Sequence, residues 1–168
     1  MSGIRVICNT SPIIGLLTIN RLSLLWEIFD EVLIPEAVYR ELSADSVAHK
    51  AEIEEIEKCV ACGELKIYKV KNADIVKKLY GKLHFGELEV IVGAKELNID
   101  IAIIDEIAAR RMAASFLVDT LGILGILILA KKKGLIDFIK PDLDTLRASG
   151  YRISEKLYKQ TLQKVQEE

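Results

Sequence analysis

Polar side chains follow two short apolar segments of the sequence, at the points where strands are expected to end. Asn9 and Ser11 follow residues 4–8, and Asp105 follows residues 101–104. Because the carboxyl ends of parallel strands meet at one edge of a sheet, we expect these side chains to lie close together.

Glu87 is the third candidate, and its position in a predicted helix is unusual. At 100° per residue it shares a face with Val90, Ile91 and Ala94, which form an apolar stripe. A buried carboxylate is costly unless it is hydrogen-bonded, paired or bound to a metal. Asp105 heads a similar stripe, so the two acids could hold a hard divalent cation such as Mg²⁺ or Mn²⁺. Without the cation their charges would repel, and at least one pKa should be raised.

A structural interpretation of these acids stays open. Asp or Glu in the first turn of a helix also stabilises the helix by capping and by its charge. Glu89 lies on the other face of the helix and is expected to be solvated. His84 and Glu41 are further polar candidates, and their spacing alone does not decide whether they are functional.

Lysines are concentrated in the middle of the chain and suggest a contact with an RNA backbone, for which the candidates are Lys77, Lys78 and Lys82. A solvated lysine face is the alternative.

The Cys59-Val-Ala-Cys62 segment could be half of a zinc site, a redox pair or a disulfide, or two inert thiols.

Short apolar strands alternate with helices along the chain, which predicts an α/β fold with a mostly parallel sheet covered on both faces. We predict one domain over residues 1–150 and a C-terminal helix over 151–168 that packs on it or extends it. The predicted strands are 4–8, 32–34, 65–70 and 101–104. The predicted helices are 13–19, 22–29, 35–41, 46–61 (acidic), 73–80, 86–98, 105–114, 121–133 (apolar), 143–149 and 154–166.

Composition excludes several classes of protein. In 168 residues, 51% hydrophobic content excludes a disordered chain, and a net charge of −2 excludes a strongly basic nucleic-acid-coating protein. We find neither an apolar run of the length that a membrane span needs nor a secretory signal, so a cytoplasmic protein without membrane association is expected.

Five segments, matching in order and spacing, resemble the PIN domain family, in a prokaryotic branch of largely uncharacterised proteins related to toxins of VapC type. The segments are Val6-Ile-Cys-Asn-Thr-Ser-Pro-Ile-Ile14, Leu33-Ile-Pro-Glu-Ala-Val-Tyr-Arg-Glu41, Leu83-His-Phe-Gly-Glu-Leu-Glu89, Ile103-Ile-Asp-Glu-Ile-Ala-Ala-Arg110 and Thr120-Leu-Gly-Ile-Leu-Gly125.

The resemblance implies a three-layer α/β/α sandwich that cleaves RNA, expected to be single-stranded, with Mg²⁺ or Mn²⁺. It implies Glu87 and Asp105 as catalytic residues and metal ligands, with Ser11 and Glu41 in supporting positions. A homodimer and a partner antitoxin protein are further expectations of this resemblance.

Two positions depart from the family pattern. The first acid, usually Asp, is Asn9, which would offer the cation a carbonyl oxygen without a charge. A fourth acid would fall on Gly122, and Asp119, next to a supporting Thr120, is the nearby substitute as a ligand. The sequence therefore predicts a metal-dependent endoribonuclease, or alternatively a catalytically weakened module that binds RNA or protein. A purely structural oligomerisation domain is a third hypothesis.

Overall fold

The computed structural model describes residues 3–44 and 49–167, in which short strands form one sheet with helices packed around it. The strands are β1 (Arg5–Cys8), β2 (Glu31–Pro35), β3 (Lys66–Tyr68), β4 (Ile101–Ile103) and β5 (Asp119–Leu121). The helices are α1 (Thr10–Thr18), α2 (Leu24–Ile28), α3 (Glu36–Leu42), α4 (Lys50–Ala61), α5 (Ala73–Leu79), α6 (Phe85–Glu96), α7 (Ile107–Ser115), α8 (Ile123–Lys132), α9 (Lys140–Ala148) and α10 (Glu155–Lys164).

All strand pairs are parallel, in the order β3-β2-β1-β4-β5. The central strand β1 is apolar because helices cover both of its faces, and Val6, Ile7 and Cys8 are fully buried. The predicted α/β class with a parallel sheet is thus confirmed. Since β1 and β4 are neighbours, their carboxyl ends bring the residues after Cys8 and Ile103 to the same edge.

The edge strand β5 corrects the sequence prediction of a helix over 121–133. Residues Asp119–Leu121 pair with Ile101–Ile103 of β4, and α8 begins only at Ile123, after Gly122. Three residues at a sheet edge carry too little periodicity to be recognised, whereas the apolar helix that follows dominates the local pattern.

The acidic helix predicted over 46–61 is observed as α4, which begins at Lys50; residues 46–48 of that prediction lie outside the described residues. Near its end Cys59 is buried and Cys62 is exposed, and both are free thiols. Burial and nearby carboxylates raise the pKa of Cys59 to about 11, which disfavours the reactive thiolate form. This supports the interpretation of inert thiols.

The C-terminal segment is held by one buried carboxylate. Glu167 accepts hydrogen bonds from Lys131 Nζ (2.6 Å), Ile139 N (2.8 Å) and Lys140 N (2.8 Å). It thereby satisfies backbone donors at the beginning of α9 and pairs with a cation at the end of α8. Within 3–44 and 49–167, the helices all fall short of the length and apolarity that crossing a membrane requires.

Candidate active site

A pocket of about 390 Å³ lies at the carboxyl edge of the sheet. The backbone fixes its base, because Asn9 N donates a hydrogen bond to Ile103 O (3.0 Å) and so joins the ends of β1 and β4. Its walls come from the beginning of α1, from the end of α3, from the α5–α6 connection and from the residue after Asp105. The lining residues are Asn9, Thr10, Ser11, Glu41, Tyr80, His84, Phe85, Glu87 and Glu106.

Glu87 lies in the first turn of α6 and is buried, with a relative exposure of 8%. Its Oε2 accepts a hydrogen bond from His84 N (3.1 Å), so the side chain caps its own helix. Burial raises the pKa of Glu87, the hydrogen bond from His84 opposes this, and the charges of Glu106 and Glu41 raise it further. Burial is thus the first cause of the raised pKa of Glu87, and the repulsion that adds to it comes from Glu106 and Glu41 instead of from Asp105, the partner that the sequence predicted.

Glu106 is an acid of this pocket that the sequence prediction missed. Its Oε1 accepts a hydrogen bond from Ser11 Oγ (2.7 Å), and its Oε2 accepts a longer one from Asn9 Nδ2 (3.4 Å). The side chain is solvent-exposed, so no apolar stripe marked it in the sequence. Its position three residues after β4, which ends at this edge, was the available signal.

Glu41 reaches the same pocket from α3. Thr10 Oγ1 donates a hydrogen bond to Glu41 Oε2 (2.5 Å), which ties the end of α3 to the beginning of α1. A Cβ atom on Gly86 would lie 2.7 Å from Glu41 Oε1, so the glycine in this position allows α6 to approach the carboxylate. The supporting residues Ser11 and Glu41 thus lie beside Glu87 and Asn9.

Asp105 does not line this pocket, although the sequence predicted that it would meet Asn9 and Glu87 there. Its carboxylate accepts hydrogen bonds from Ile123 N (2.9 Å) and from the Tyr151 hydroxyl. Burial raises the pKa of Asp105, and these two hydrogen bonds partly oppose the shift. Oδ1 thus engages the first amide of α8 and Oδ2 engages Tyr151, which follows α9. Asp105 lines a neighbouring cavity of about 530 Å³ that shares Ser11 and Glu106 with the pocket.

Asp119 and Thr120 also lie away from the pocket, so the geometry does not support the prediction that Asp119 substitutes for the fourth acid. Asp119 is the first residue of β5 and pairs with Ile101, at the amino end of β4. At roughly 3.3 Å per residue, a strand of this length separates it from the edge where Asn9 lies. Thr120 lies within β5 and pairs with Ala102.

Of the three lysines predicted to contact RNA, Lys77 lines a second cleft next to the pocket. Lys78 and Lys82 are exposed and line neither the cleft nor the pocket.

Glu89, expected to be solvated, instead accepts a hydrogen bond from Ala37 N (3.1 Å) at the beginning of α3. The aromatic side chains Tyr80 and Phe85 line the pocket as well, and the sequence prediction did not include them.

The donors in the pocket fit a hard divalent cation in kind, because all of them offer oxygen: three carboxylates, the Asn9 amide and the hydroxyls of Thr10, Ser11 and Tyr80. They do not form a closed ligand set. Across the part of the chain that the structure describes, no three His, Cys, Asp or Glu side chains are grouped closely enough to hold a metal ion. Glu106 in particular is engaged with Ser11 and Asn9.

A five-stranded parallel sheet of order 3-2-1-4-5, flanked by helices and bearing acids at its carboxyl edge, defines an α/β protein of the PIN type. The chain belongs to the PIN domain family: the family model DUF3368, described as PIN domain, matches residues 5–167. PIN domains typically bind metal, and membership implies a possible nuclease. No curated protein and no solved structure matches the chain.

Proposed function

We propose that this PIN domain is a Mg²⁺- or Mn²⁺-dependent endoribonuclease whose active site is the pocket around Glu87. The observation that carries the proposal is the meeting of Glu41, Glu87 and Glu106 with Asn9 and Ser11 at the carboxyl edge of a parallel sheet. The family supports a nuclease, and the placement of oxygen donors supports a cation as its cofactor.

Glu87 and Glu106 would hold the cation, with Asn9 as a neutral oxygen donor. When bound, the cation would activate a water molecule and neutralise charge on the cleaved phosphodiester. Burial of Glu87 withholds solvation from its carboxylate, so a cation would gain a strong partner there. Ser11 orients Glu106 by its 2.7 Å hydrogen bond.

The resemblance assigned a ligand role to Asp105, and we assign that role to Glu106 instead. Asp105 accepts hydrogen bonds from Ile123 N and the Tyr151 hydroxyl and does not line the pocket of Glu87. Glu106 lines that pocket and is solvent-exposed.

A catalytically weakened module that binds RNA or protein is the second candidate, and the Asn9 geometry favours it. The Asn9 amide donates towards Glu106, so in this conformation position 9 provides no negative charge and satisfies an acid that would otherwise attract the cation.

Calorimetric titration with Mn²⁺ and cleavage of single-stranded RNA, measured on the same variants, separate the two candidates. Glu87→Gln and Glu106→Gln should each weaken Mn²⁺ binding and cleavage, whereas Asp119→Asn, the same type of change at the opposite edge of the sheet, should leave both unchanged. Asn9→Asp should bind Mn²⁺ at least about tenfold more tightly, a difference of about 1.4 kcal/mol.

RNA that binds the wild type but is cleaved neither by it nor by Asn9→Asp would overturn the nuclease in favour of the binding module. Equal Mn²⁺ affinity of Asn9→Asp and wild type would place residue 9 outside the cation site. The homodimer and the antitoxin partner stay predictions, which sedimentation and co-purification would test.

A further inference from the structure

Two aromatic rings lie at the rim of the pocket and pack against each other. The ring centroids of Tyr80 and Phe85 are 4.2 Å apart and their planes differ by 13°. Tyr80 follows α5 and Phe85 begins α6, so a short connection presents both rings together. Their residues are 56% and 41% exposed, which leaves flat apolar surface in water directly beside Glu87. Nucleobases stack on such surfaces whatever their sequence.

Phe85 also forms a wall of a second cleft, of about 270 Å³, and therefore separates it from the acidic pocket. Arg40, Lys69 and Lys77 line this cleft. Two acids, Glu36 and Glu89, line it too, and Glu89 is engaged by Ala37 N. The cations outnumber the acids, which favours a phosphate group in this cleft over a cation.

We infer that Tyr80 and Phe85 form a nucleobase-stacking subsite and that the cleft of Arg40, Lys69 and Lys77 binds a neighbouring phosphate of the same strand. The identification of the strand as RNA rests on the function proposed above. A base reaches the rings only when it is free of its own neighbours, so the subsite selects single-stranded over double-stranded RNA. The strand then passes from the cationic cleft, across Phe85, to the acidic pocket.

The test is the binding of a fluorescein-labelled single-stranded RNA of mixed sequence, followed by fluorescence anisotropy in the presence of EDTA. Tyr80→Ala should weaken binding at least about fivefold, since a base–aromatic stack contributes on the order of 1 kcal/mol or more. Tyr80→Phe should restore it. Phe138→Ala is the matched control and should leave binding unchanged. Phe138 is also an exposed aromatic residue, but it lies beside Lys131 and lines neither the pocket nor the cleft.

The phosphate contact has its own pair of variants on α5. Lys77→Ala should weaken binding and reduce the slope of log affinity against log salt by about 0.7, the value for one phosphate contact on a single strand. Lys78→Ala removes the same charge one residue further along and should leave the slope unchanged.

Binding of single-stranded RNA by Tyr80→Ala as tight as that of wild type, or equally tight binding of a duplex of the same sequence, would overturn the subsite. So would absence of binding by the wild type. EDTA prevents metal-dependent cleavage, so binding is measured separately from the nuclease activity. If the variants bind RNA in the expected pattern but the wild type shows no Mn²⁺-dependent cleavage, the subsite is supported and the nuclease is overturned. Cleavage with unchanged binding by Tyr80→Ala and Lys77→Ala would do the reverse.

Discussion

Asp105→Asn should destabilise the protein, because the Asp105 carboxylate accepts hydrogen bonds from two donors that come from distant parts of the chain. These donors are Ile123 N (2.9 Å) and the Tyr151 hydroxyl. A carboxylate accepts both, whereas an amide has one carbonyl oxygen and would direct its NH₂ group at the other donor.

The magnitude follows from the loss of one charge-assisted hydrogen bond, roughly 1.5–3 kcal/mol, with a buried donor left unsatisfied. Burial raises the pKa of Asp105, so the ionised side chain carries a cost that the neutral amide removes, and this offsets part of the loss. We therefore expect the free energy of unfolding at pH 7 to fall by about 2 kcal/mol, and the melting temperature by roughly 4–8 °C for a chain of this size.

Urea unfolding of wild type, Asp105→Asn, Tyr151→Phe and the double variant measures this contribution. The two changes should be non-additive, since each removes the same hydrogen bond. Asp119→Asn, at an exposed position on the opposite edge of the sheet, should change stability by less than about 0.5 kcal/mol. Wild-type or higher stability of Asp105→Asn would refute the structural role and favour a carboxylate that awaits a cation.

Two further perturbations concern buried acids with opposite pKa shifts. Burial and the charges of Glu106 and Glu41 raise the pKa of Glu87, so ionisation of this side chain destabilises the fold as pH rises through that raised pKa. The Glu87→Gln variant keeps an acceptor for His84 N and should be more stable than wild type at pH 7.5 without metal. Urea titrations at two pH values should show this advantage vanish below about pH 4, where Glu87 is protonated. Burial alone would raise the pKa of Glu167, but hydrogen bonds from Lys131 and two backbone amides lower it overall, so its contribution is present at neutral pH and lost as pH falls through the lowered pKa. Glu167→Gln should cost about 2 kcal/mol or more at pH 7 and progressively less in acid, and an unchanged unfolding midpoint at pH 7 would contradict this.

The sequence by itself determined four of the five strands of the sheet and placed Asn9 and Ser11 at its carboxyl edge. Apolar runs of four or five residues between helices require a parallel sheet with both faces covered, which β1 and β4 confirm. The polar residues after Cys8 had to lie at the carboxyl edge for the same reason. The helical period also identified Glu87 as buried, because it lies on the same face of α6 as Val90 and Ala94 and this face packs against the core.

Only the tertiary structure shows that Glu106, and not the neighbouring Asp105, lines the pocket of Glu87. The Ile123 and Tyr151 donors that engage Asp105 lie 18 and 46 residues further along the chain, and no local pattern reports them. The same holds for Glu89, whose donor Ala37 N is 52 residues away. Periodicity states whether a side chain points towards the interior or the solvent, but the partner it meets there depends on how distant elements pack.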